Sequence, residues 1–153
     1  MFKTHLAFGF LTSLVALTIF NIENKILFIL ILVFGAILAD IDYMTSKVGS
    51  KVRLLSFFIE LIFGHRGLMH TIYVPVAFFI LLSLFGYPVI GFAFLIGFMS
   101  HLIIDCLNIK GISFLRPFNK LHIRGFIKTG GILEYILLAG ILVLIVMMIN
   151  IVL

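Results

Sequence analysis

The sequence predicts an all-α polytopic membrane helix bundle, with about five transmembrane helices and one short interfacial or re-entrant helix. Three observations carry that prediction. Of 153 residues, 63% are hydrophobic and only 11% charged, with a mean hydropathy of +1.34, whereas soluble domains carry roughly a quarter charged residues. Five apolar runs, near residues 5–20, 26–42, 70–86, 88–107 and 132–152, approach the span of about 20 residues that crosses the hydrocarbon. None is built as the short alternating segments of a barrel, so each must satisfy its backbone as a helix. The composition leaves a single integral membrane domain over residues 1–153 and no soluble domain.

The elements follow in order. The first run follows Lys3 and resembles a secretory signal, but no small-x-small cleavage site follows it. Asn21, Glu23 and Asn24 read as a turn, so the segment is expected to be retained. The second run closes on Asp40 and Asp42. The polar stretch Thr45 to Arg53 then leads into Leu54 to Phe63, too short to cross and read as the interfacial or partly re-entrant helix. Its only acid, Glu60, reads as a snorkelling or lysine-paired surface group. Gly86, Tyr87 and Pro88 mark a tight turn between two crossings. The connection Asn108 to Gly131 carries Lys110, Arg116, Lys120, Arg124 and Lys128, and it reads as a topology determinant and a contact for anionic lipid head groups, with no nucleic acid role. His122 within it reads as solvated. The single cysteine, Cys106, has no internal disulfide partner and reads as a small packing residue.

Threading the chain through a bilayer with five crossings brings the ionisable residues of the run ends to one side. His5 opens the first helix, Asp40 and Asp42 close the second, His65 and His70 precede or open the third, His101 and Asp105 close the fourth, and Glu134 opens the fifth. Ten of the eleven Lys and Arg residues lie on that side, with Lys25 opposite. The positive-inside rule then makes it cytoplasmic, with the N-terminus inside. Residues of these types are costly in a membrane unless they bind something.

Spacing refines the chemistry. His101 and Asp105 are four apart, about 40° around a helix, so both can address one ion. Asp40 and Asp42, about 200° apart on a helix, converge only if the helix ends there and Asp42 turns back. His65 and His70 are about 140° apart, which places His65 in a loop with Gly64 and Gly67, and His70 on the first helical turn. Arg66, between those glycines, suits bidentate binding of a phosphate or carboxylate. Two divalent cations would neutralise Asp40, Asp42, Asp105 and Glu134. Imidazole with carboxylate is a ligand set for zinc, manganese or iron, and such ions activate water for hydrolysis.

The run GAILADID (35–42), GHRGLMHT (64–71) and GFMSHLIIDCLN (97–108), preceded by Thr4-His5, resembles the YdjM-like family of predicted membrane-bound metal-dependent hydrolases over nearly the whole chain. The resemblance implies an inner-membrane hydrolase with metal ligands drawn from His5, Asp40, Asp42, His65, His70, His101 and Asp105, and Glu134 matching a further acidic position. The order His, Asp, His, then His-x-x-x-Asp is also similar to zinc phospholipase C and its single-strand nuclease relatives, all-α phosphodiesterases.

The expected function is therefore a cytoplasm-facing hydrolase, with zinc the first expectation among the metals and one or two ions bound. Its substrate would be a phosphoester of a membrane lipid or other amphiphile. Arg66 would bind phosphoryl oxygens, and Asp40, Asp42 or Glu134 would serve as general base toward water. Two rivals come from other classes. A metal-ion or proton-coupled transporter needs polar residues near the midplane and on both faces, whereas the outer halves of these helices are nearly pure Leu, Ile, Phe and Val. A non-catalytic membrane protein stapled by a metal predicts a closed coordination sphere.

Overall fold

A computed structural model of the protein describes residues 1–63, 67–119 and 121–152. Among these the helices are α1 (Phe2–Ile19), α2 (Lys25–Leu38), α3 (Arg53–Phe63), α4 (Tyr73–Leu84), α5 (Pro88–Cys106) and α6 (Ile132–Val152), with 3-10 turns at Ala39–Asp42, Gly49–Lys51 and Leu68–His70. Local sequence explains several boundaries. The Asn24 side chain accepts the Leu27 amide at 3.1 Å and satisfies one of the free donors at the start of α2. Pro88 opens α5, where its missing N–H costs nothing, and Gly86, at φ +85°, makes the reversal that precedes it.

The centre of the bundle is α5, which packs on α1, α2 and α4, while α6 packs on α1. Lipid tails are as apolar as leucine, so helix association in a membrane depends on close backbone approach at small residues. Three glycines supply it. A Cβ at Gly97 would collide with the Leu32 carbonyl of α2, one at Gly35 would come within 2.8 Å of the Phe94 carbonyl oxygen, and one at Gly9 within 2.5 Å of the Ala36 Cβ. Phe98, Leu32, Ala93 and Phe94 are buried around these crossings. Most of α6 instead leaves its apolar side chains exposed, with only Ile141 and Ile145 buried, as a helix bordering lipid does.

Among the described residues three helices, α1, α5 and α6, are long and apolar enough to cross a membrane. The other two expected crossings are shorter. The α-helical part of α2 has 14 residues and continues into the four-residue 3-10 turn. In α4 there are 12 residues, about 18 Å at 1.5 Å per residue, against a hydrocarbon core of about 30 Å. The apolar run at 70–86 overstated α4 because its first residues belong to a buried turn. His70 accordingly lies in the 3-10 turn ahead of α4 and not on its first helical turn.

The interfacial segment is an 11-residue amphipathic helix, α3, that exposes Leu54, Leu55, Phe57, Phe58 and Leu61 and buries Ser56. Glu60 is not lysine-paired among the described residues; its carboxylate accepts the Met44 amide at 3.1 Å and ties α3 to the turn after Asp42. The connection after α5 is folded back on itself through isolated bridges, Asn108 with Ile127 and Ile112 with Ile123. His122 is exposed there and contacts Ser113 Oγ at 3.0 Å and the Lys110 carbonyl at 3.1 Å.

Candidate metal centre

The close crossing of α1, α2 and α5 determines where the polar residues go. His101 is one turn beyond Gly97 and His5 one turn before Gly9, so both rings lie over the end of α2. They are stacked, with centroids 3.9 Å apart and planes 14° from parallel. His70 meets His101 edge-on at 5.3 Å. All three histidines are buried, as are Asp42 and Asp105, whereas the Asp40 side chain is 25% exposed.

Asp105 lies among the three rings. Its Oδ1 is 3.5 Å from His5 Nε2, and its Oδ2 is 3.3 Å from His70 Nε2 and 3.6 Å from His101 Nε2. Asp40 Oδ1 approaches His101 Nε2 at 3.9 Å. Among the described residues two overlapping groups result, His5 with His101 and Asp105, and Asp40 with His70 and His101, in each of which the donor atoms lie within 4.8 Å of one another.

The orientation of His101 gives a test of whether these residues fit a cation. Its Nδ1 is 2.8 Å from the Ala36 carbonyl oxygen. A carbonyl only accepts, so Nδ1 carries the proton and Nε2 of the neutral ring presents a lone pair to the cluster. That nitrogen is buried and has no hydrogen-bond partner among the described residues; the same is true of His5 Nδ1. A buried lone pair facing two carboxylates is unfavourable by itself and favourable around a cation. These residues form a possible metal-binding group of imidazole and carboxylate donors. Ala36 lies in the last turn of α2, where carbonyls run short of intrahelical donors.

Asp42 lies beside His70, outside both ligand groups. The turn-back that its spacing requires does occur, since α2 gives way to a 3-10 turn at Ala39. The carboxylate then bonds His70 Nδ1 at 2.9 Å and belongs to neither ligand group. It thus stands behind the imidazole, where a carboxylate fixes ring orientation and raises ligand basicity. Asp42→Ala is expected to weaken metal affinity about 10- to 100-fold while full occupancy is still reached at high metal, as read by competition with a chelating dye.

Glu134, in the first turn of α6, takes hydrogen bonds from Thr4 Oγ1 at 3.0 Å and from the Gly130 amide at 2.7 Å. It does not join either ligand group. With Asp40 it lines a cavity of about 490 Å³ beside the cluster. The structure therefore brings together His5, Asp40, Asp42, His70, His101 and Asp105 and sets Glu134 at the neighbouring opening. His65 and Arg66 lie outside the described residues. The Ala36 carbonyl and Thr4 hydroxyl are functional groups that residue spacing did not single out; Thr4 carried the one available signal, its place beside His5.

A helical bundle with three imidazoles and three carboxylates gathered at one end defines an integral membrane protein with a possible metal-binding group. The family model for the YdjM inner membrane protein matches residues 1–153, and the chain belongs to that family. It is similar to a protein of Bacillus subtilis (strain 168) described as "Uncharacterized protein YvsG", with 34% identity over 108 residues, covering 69% of this chain and 68% of that protein. No solved structure matches.

Proposed function

We propose that the protein is a metal-dependent hydrolase that cleaves a phosphoester at the cytoplasmic surface of the inner membrane. The observation that carries this reading is the buried Nε2 of His101, which has no hydrogen-bond partner among the described residues and is held by the Ala36 carbonyl toward Asp40 and Asp105.

His5, His70, His101, Asp105 and Asp40 would hold the metal, zinc in the first instance and manganese or iron as substitutes. Since only one nitrogen of His101 faces the cluster, it would serve a single ion; Asp105, with one oxygen toward His5 and the other toward His70 and His101, has the reach to serve a second. A bound divalent ion supplies Lewis acidity and lowers the pKa of water. Asp42 holds His70 in orientation from behind. Glu134 lines the cavity and belongs to neither ligand group, which makes it a better general base than the ligand Asp40 or the fully buried Asp42, because a base must reach the water that it deprotonates. Arg66, on sequence grounds, would bind phosphoryl oxygens. The cytoplasmic orientation rests on the Lys and Arg distribution.

The reading is tested on detergent-purified protein stripped with chelator and reloaded with zinc, manganese or iron, against chromogenic phosphodiesters and phosphomonoesters. Hydrolysis that appears on reloading and disappears in His101→Ala is expected. Stoichiometric metal with no hydrolysis would leave a metal-stapled helix bundle. Metal or proton flux in sealed vesicles without hydrolysis would establish the transporter alternative, against which the clustering of the ionisable groups at one end of the helices speaks.

A further inference from the structure

Beside the histidine and aspartate cluster is the cavity of about 490 Å³ whose lining includes Lys3, Asp40, Ser46, Lys47, Glu134 and Leu138. A second space of about 530 Å³, lined by Lys3, Leu6, Phe10, Val33, Leu138 and Leu142 among others, runs between α1, α2 and α6. Lys3 and Leu138 border both. The first space is of mixed lining and includes the charged side chains Lys3, Lys47, Glu134 and Asp40, the last from the candidate metal centre; the second is apolar apart from Lys3. Their junction is a lysine, a residue whose long stem packs on apolar surface while its ammonium stays in a polar one.

We propose that these two spaces form one bipartite site for an anionic phospholipid, with its phosphate head in the cavity and one hydrocarbon chain along the α1–α2–α6 groove. This deepens the phosphoester reading above, on which it rests for the identity of the head group. Charge in the cavity supports it. The Glu134 oxygens are engaged by Thr4 and Gly130, and Asp40 belongs to a possible metal-ligand group. Among the described residues neither Lys3 nor Lys47 forms an ion pair with a carboxylate. The Lys47 ammonium stands over the Phe2 ring, 5.2 Å from its centroid, at the edge of the same cavity. Two ammonium groups thus remain for an anion once the carboxylates are otherwise occupied. Any exposed apolar surface in a membrane touches lipid tails; this groove differs in leading, through Lys3, to the place where chemistry is proposed.

The test uses the full-length protein in phosphatidylcholine nanodiscs, with a small fraction of phosphatidic acid bearing a diazirine midway along one acyl chain. Adducts are mapped by peptide mass spectrometry, and a diazirine-bearing phosphatidylcholine serves as the comparison. Phosphatidic acid is expected to label residues 6–10 and 138–142 in excess over the exposed α4 residues Phe78, Ile80 and Leu81, and phosphatidylcholine is expected to label both regions alike. In the Lys3→Gln/Lys47→Gln double variant the excess should fall about tenfold or more, since each lysine near a membrane surface contributes roughly a factor of five toward an anionic lipid. Ala7→Phe, which fills the groove, should abolish the excess, and Val33→Phe repeats that test if Ala7→Phe unfolds. Equal groove labelling by both probes, or an excess that survives the double variant, would overturn the proposal.

Labelling needs no turnover, so the two readings separate. Selective labelling without hydrolysis would sink the hydrolase and leave the lipid site. Hydrolysis of soluble phosphoesters with unselective labelling would do the reverse.

Discussion

Asp105→Ala is expected to reduce bound metal from stoichiometric to trace, with affinity lowered at least about 100-fold, since loss of an outer-shell partner alone costs 10- to 100-fold. The expectation follows from position. Asp105 lies within 3.6 Å of all three imidazoles of the cluster, with one oxygen toward His5 and the other toward His70 and His101. It therefore supplies the charge around which His5, His70 and His101 can share a cation. The measurement is elemental mass spectrometry of protein purified without chelator, with titration of metal into the stripped protein to obtain the affinity. Thermal unfolding of the metal-free forms is the companion reading. Removing the carboxylate also removes a buried charge, so the metal-free variant should unfold close to the metal-free parent, while the stabilisation by added metal seen in the parent disappears, because a ligand stabilises only the state that binds it. Unchanged metal content in Asp105→Ala would refute the centre as described.

What the sequence made legible and what it did not can be separated by range along the chain. His101 and Asp105 were readable as a pair because a spacing of four puts two side chains on one helical face whatever the surrounding fold. The requirement that α2 end before Asp42 was readable for the same reason, and the 3-10 turn Ala39–Asp42 meets it. Nothing local distinguishes Asp42 from Asp40, however. Which of them faces the cluster and which stands behind His70 depends on a contact between residues 28 apart, and that is decided by packing. The Ala36 carbonyl, which sets the His101 tautomer, comes from an alanine with no chemical signature at all. The length of α4 was misjudged because hydropathy cannot tell an apolar residue bordering lipid from one buried in a turn beneath a site. The lipid-facing and core-facing sides of α6 are likewise both apolar, so only the packing of Ile141 and Ile145 against α1 reveals its orientation.

Gly97→Leu should lose both fold stability and metal, and this combination separates scaffold from ligand. A Cβ at residue 97 would collide with the Leu32 carbonyl of α2, and backbone has no rotamer by which to move aside. The helices must part, at a cost at the upper end of the 1–3 kcal/mol typical of overpacking, about 3 kcal/mol. Parting them also draws His101 away from the Ala36 carbonyl, and an opening of more than about 0.4 Å takes their hydrogen bond, now 2.8 Å, past the usual N–H···O range. His101 then loses the restraint that directs Nε2 at Asp40 and Asp105. The expected result is a lowered thermal midpoint in detergent together with reduced metal content. Gly140→Ala is the control, since its added Cβ meets nothing within 4 Å, and it should leave both quantities unchanged. If Gly97→Leu destabilised the protein yet kept its metal, the α2–α5 crossing would hold the bundle together without positioning the site. If it changed neither, the close approach of the two helices would itself be refuted. Against Asp105→Ala, which should lose metal and keep the fold, the pair shows whether the glycines that let these helices meet are also what brings the imidazoles together.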